Sequence, residues 1–136
     1  MKKVLLALVA AVMVFSSCSK DEDNTQVNIY SYSVSDNEWE LVDNKLYQVW
    51  IDVPQLTKNV IENGSMQVSQ RIDENGKVLY TPLPAIFTDD KEGGDTYSSF
   101  TDYEYTVGGL YIFVIASDLS TTIRPGDRTF RVTIVR

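Results

Sequence analysis

A single cysteine, Cys18, and no histidine at all limit the chemistry open to this chain of 136 residues. Histidine is the commonest general base, the commonest zinc ligand and the usual switch near neutral pH, so three roles vanish together. Nucleophilic catalysis needs a Ser, Thr or Cys beside a base. Only a Ser–Lys arrangement would remain, and the lysine spacing suggests none. Nineteen acidic side chains supply carboxylate pairs of the kind that hydrolyse glycosides, but a number that large produces pairs by chance. Gly93-Gly94 sits among acidic residues that would repel a phosphate. The chain is therefore expected to be no enzyme, with no catalytic residue and no cofactor.

Two groups could bind instead of react. Asp89, Asp90, Glu92 and Asp95 offer the hard oxygen ligands that calcium takes. Their order does not match an EF-hand, so a solvated acidic loop is the expected reading and no metal is assigned. Tyr97, Tyr103 and Tyr105 fall on one face of a single strand pattern, with Trp39 and Trp50 on neighbouring candidates. Exposed, these rings would form a platform for stacking sugars, because aromatic faces give contact area at low entropic cost. Buried, they are core, and Val107 continuing the same face favours that alternative.

The N-terminus carries a different message. Lys2 and Lys3 precede the apolar run Val4–Phe15, then Ser16-Ser17 and Cys18, the layout of a secretory signal. As a helix the run would reach about 18 Å, short of a hydrocarbon core of about 30 Å. Phe15-Ser16-Ser17-Cys18 resembles a bacterial lipobox, with Phe15 where leucine is commoner. The resemblance implies cleavage before Cys18 and acylation of its thiol. One acyl chain binds a membrane marginally and two or more bind it stably, so the anchor would need no spanning helix. Lys20-Asp21-Glu22-Asp23 looks like the signal that sends lipoproteins of the Bacteroidota to the cell surface. The expected organisation is a signal peptide at 1–17, a lipidated tether at 18–24 and one domain at 25–136.

Without Lys2 and Lys3 the mature chain keeps ten basic against nineteen acidic side chains, a formal charge of −9. Such a surface repels nucleic acid and anionic head groups. Acylation would also account for the odd cysteine and leave no thiol for a disulfide.

Across residues 25–136 the hydrophobic period is two. Strands are expected at Thr25–Val34, Glu38–Val42, Leu46–Val53, Ser65–Ile72, Lys77–Thr81, Tyr97–Val107, Leu110–Ala116 and Arg128–Val135. Asn75-Gly76 is the strongest hairpin signal, since both residues tolerate the positive φ of a type I′ turn. Pro82 and Pro84 confine Ile86-Phe87 to an edge or bulged path. Leu110–Ala116 is apolar on both faces, the mark of a strand covered on both sides. Leu56–Gly64 is the one helical candidate, with Thr57 as N-cap and Gly64 in the left-handed C′ position. The expected fold is all-β: an antiparallel, immunoglobulin-like β-sandwich of seven to eight strands with one short helix, a barrel being the second choice. Inner faces should include Val49, Ile51, Val68, Ile112, Val114, Val132 and Ile134.

Val53–Gly64, the later Leu83-Pro84 and Arg124-Pro125-Gly126-Asp127 look like segments that recur in small Bacteroidota lipoproteins of unknown function. The resemblance implies a β-sandwich at the outer membrane, lipid-anchored and surface-exposed, and transfers no catalytic residue. Two functions are compatible with it. One is a surface accessory or protein-interaction module working with other outer-membrane proteins. The other is a small glycan-binding lipoprotein of a nutrient-uptake system.

Overall fold

The computed structural model describes residues 24–90, 96–117 and 123–136. Cys18, Lys20, Asp21, Glu22 and Asp23 lie outside the described residues, as do Glu92 and Asp95 of the acidic loop. The fold is an all-β sandwich of two antiparallel sheets. Its strands are β1 (Val27–Val34), β2 (Glu40–Val42), β3 (Leu46–Asp52), β4 (Ser65–Glu74), β5 (Lys77–Pro82), β6 (Ala85–Asp90), β7 (Thr96–Thr106), β8 (Gly109–Ala116) and β9 (Arg128–Val135). A four-stranded sheet runs β1-β9-β4-β5 and a five-stranded sheet runs β2-β3-β8-β7-β6.

Among the described residues there are nine strands, where periodicity led to seven or eight. The addition is β6, which the two prolines had marked only as a path. Pro82 ends β5 at the edge of one sheet, Leu83 is buried with its N–H donating to Val68 O, and Ala85 opens β6 at the edge of the other. Proline cannot donate to a ladder, so the pair sits where the chain changes sheets.

Alternation decides the core. Val49 and Ile51 of β3, Val68 of β4, Ile112 and Val114 of β8, and Val132 and Ile134 of β9 are all buried in one cluster drawn from both sheets. Each such side chain contributes about 1.5–3 kcal/mol by leaving water. Asn75 and Gly76 take φ of 51° and 75° between β4 and β5, as a type I′ turn requires. Asp43 and Asn44 take 51° and 53° between β2 and β3.

Helix α1 (Lys58–Asn63) bridges the sheets. Thr57 Oγ1 accepts the Val60 N–H at 3.3 Å, capping the N-terminus, and Val60 is the buried contact. Gly64 corrects the sequence reading: its φ is −104°, not left-handed. Glycine is needed there for space, because a Cβ would overlap the Val135 carbonyl oxygen.

The chain ends of the domain meet across β1 and β9, Gln26 N–H donating to Arg136 O at 2.7 Å and Arg136 N–H to Gln26 O at 3.0 Å. The first described residues therefore enter the sandwich at the end holding α1 and the β7–β8 turn.

Candidate functional site

Strand β8 is where the structure departs most from its sequence. Leu110, Ile112 and Val114 point into the core, as period two requires. The opposite face was expected to be covered as well, and among the described residues it is not. Tyr111 is 42 % exposed, and Phe113 and Ile115 are half-buried. The correction has a physical reason. A strand central in its sheet has neighbours on both edges, which says nothing about a layer above it.

Register extends this face sideways. Trp50 of β3 stands opposite Tyr111, Phe100 of β7 opposite Ile115, and Ile86 of β6 opposite Phe100. Trp50 (39 %), Phe100 (38 %) and Ile86 (71 %) are exposed. With Phe113 they form a continuous apolar diagonal across four strands. Around Ile86, Phe100 and Ile115 the surface is concave, with a volume of about 270 Å³.

The tryptophan end is fixed in place. Trp50 Nε1 donates to Asp52 Oδ1 at 2.8 Å, and the Trp50 and Tyr111 ring centroids lie 4.8 Å apart at 60°. The benzene edge of the indole lies over Gly109, where a Cβ would overlap both the ring and the Ile51 carbonyl oxygen. Glycine at this strand position thus holds the ring against the backbone, which explains a residue that the sequence marked only as part of a turn. Outward positions beside the rings are polar: Gln48 opposite Phe113 on β3, and Asp102 and Glu104 on β7 opposite Phe113 and Tyr111.

The five rings named from sequence do not come together. Trp39 is 2 % exposed, packs edge-on against Phe130 at 6.3 Å and donates Nε1–H to Gly126 O at 2.9 Å. Tyr103 packs against the core with its ring 6.3 Å from that of Tyr105. Burial pushes the Tyr103 hydroxyl above the ordinary tyrosine range, and a hydrogen bond with the Val68 backbone opposes this. Tyr105 is 47 % exposed at the rim. Tyr97 lies at the far end of the sandwich, lining a small pocket with Arg128 and Ser99. Only Trp50 reaches the aromatic face. Its neighbours Tyr111, Phe113 and Phe100 were legible as the odd-numbered residues of β8 and the even-numbered ones of β7.

The far end holds a second polar cluster, between the sheets. Arg128 Nη1 donates to Gln70 Oε1 at 3.2 Å and to Thr101 Oγ1 at 3.1 Å, while Nε donates to Pro125 O at 3.1 Å. Trp39 and Phe87 flank the guanidinium at 5.9 and 6.0 Å. This arginine satisfies the buried amide and hydroxyl that a sandwich interior would otherwise leave unpaired. The pocket beside it holds about 10 Å³, the size of one water.

The outer face of the four-stranded sheet is mixed. It presents Ser31, Ser33, Thr129, Gln67 and Ser69 beside exposed Val27 (58 %), Ile29 (57 %) and Val78 (47 %), with Arg131 lying 3.4 Å over the Tyr80 ring. No protein family, curated protein or solved structure matches the chain.

Proposed function

We propose that this chain is a non-catalytic lipoprotein, anchored in the outer membrane through acyl chains on Cys18 and displayed at the cell surface. It resembles the small surface lipoproteins of the Bacteroidota, and it acts as a protein-interaction module. The observation that carries the reading is the apolar diagonal Trp50–Tyr111–Phe113–Ile115–Phe100–Ile86. Contiguous exposed apolar surface rimmed by polar residues marks interaction sites more than singly scattered hydrophobic residues do. The lipobox-like Phe15–Cys18 and the acidic Lys20–Asp23 support the address. The glycan-binding alternative keeps one supporting feature, the Trp50–Tyr111 pair, since Trp39 and Tyr103 are committed to the core.

Site-specific photo-crosslinking on intact cells tests the face. A crosslinker at Phe113 should yield discrete protein adducts, while one at Ser31 on the opposite sheet should yield none. Equal adducts at both positions, or none at Phe113, would remove the interaction reading. Palmitate labelling tests the anchor independently: Cys18→Ala should abolish incorporation, and equal labelling would end the lipoprotein reading.

A further inference from the structure

The partner's chemistry can be read from charge. The five strands of the aromatic sheet contain no lysine or arginine at all. Every strand-borne cation, Arg71, Lys77, Arg128 and Arg131, belongs to the other sheet. On the outer face of the five-stranded sheet the register places Glu40 beside Gln48, Asp102 beside Phe113, and Glu104 beside Tyr111, with Asp52 bonded to Trp50. Among the described residues none of these four carboxylates has an ion-pair partner. Exposed rings interleaved with unpaired carboxylates provide two attractions for one kind of group. A guanidinium or ammonium gains from the ring face and from the charge beside it.

We infer that the outer face of the five-stranded sheet docks a lysine- and arginine-rich segment of a partner protein, with Trp50 and Tyr111 receiving a cationic side chain between Asp52 and Glu104. This deepens the interaction reading above and rests on it. An acidic or neutral protein surface would instead bury these carboxylates uncompensated, which is costly. Arginine suits the site best, because its planar group stacks on an aromatic ring and still donates to a carboxylate lying in its own plane.

The test is a titration of the ¹⁵N-labelled full-length protein, in detergent, with a peptide of alternating arginine and serine. The Trp50 indole N–H signal should shift and the Trp39 signal, buried and bonded to Gly126, should not. Asp52→Asn with Glu104→Gln should weaken binding roughly twofold to thirtyfold, the range expected for losing two exposed charge contacts while both rings stay. Asp73→Asn with Glu74→Gln removes as many charges from the other sheet and should leave binding unchanged. If both double variants weaken it equally, net charge alone is responsible and the inference fails. If the Trp50 signal ignores the peptide but responds to a neutral oligosaccharide, the partner chemistry is wrong while the face still binds. If it shifts with protein concentration alone, the occupant is a second copy and the inference is overturned. Silence to all three overturns the inference, and the crosslinking at Phe113 then decides separately whether the face has a protein partner.

Discussion

Two tryptophans in one short domain do opposite work, and single residues explain why. Trp39 fills the core against Phe130 and spends its N–H on Gly126 O. The same neighbourhood is tied by Arg124, whose Nη2 donates to Trp39 O at 2.6 Å and Asp36 O at 2.8 Å and whose Nε lies 3.4 Å from Asp36 Oδ2. Trp50 spends its N–H on a carboxylate two residues away and leaves a ring face in water. Trp39→Ala is therefore expected to cost about 3–5 kcal/mol in chemical denaturation. Trp50→Ala should cost about 1 kcal/mol or less, as surface changes do. Nothing in the sequence distinguishes the two. Both stand in alternating, β-compatible runs, but Trp39 falls just before β2 and packs on Phe130 of the other sheet, while Trp50 sits on the outward face of β3. That is a tertiary fact, so the sequence could name aromatic residues but could not divide them into core and surface.

At the level of elements the reading from sequence went further. Period-two alternation placed the inner residues of β3, β4, β8 and β9 correctly, because a one-residue slip would expose every one of them. Asn75-Gly76 located a hairpin, since few residues other than these accept positive φ in sequence. What alternation could not see was an edge strand made of Ala85–Asp90 or an uncovered outer face on β8. The first has a proline before it, and the second has side chains as apolar as those of a buried strand. Gly109 joins the levels, because it keeps β3 and β8 close enough for Trp50 to lie across them. Gly109→Ala should force the indole and the Ile51 carbonyl apart, costing about 1–3 kcal/mol by overpacking. It should also shift the Trp50 indole N–H signal while leaving that of Trp39 in place. Loss of stability without movement of the Trp50 signal would mean that the glycine serves the backbone alone.

For the whole molecule the decisive feature is polarity of two kinds at once. All the strand-borne cations lie on one sheet, while the other carries carboxylates without a single strand cation and most of the exposed rings, with the shared core between. The chain joins the domain beside Gln26 and Arg136. That end also holds the Asp52–Gly109 pair, two register positions from Trp50 and Tyr111 and on the same face. If Cys18 is acylated, the ring pair stands at the membrane-proximal end of the face and the Ile86–Phe100–Ile115 hollow at the distal end. Residues 18–24 fully extended span at most about 25 Å, so head groups and their bound proteins would crowd the ring pair first. Access to the rings should then depend on tether length. A flexible Gly-Ser spacer inserted after Asp23 is expected to leave the affinity of the detergent-solubilised protein for the arginine–serine peptide unchanged. On intact cells the same spacer should raise peptide binding, measured by flow cytometry with a labelled peptide. An equal response of both preparations would place the rings clear of the bilayer, and with it the docking surface.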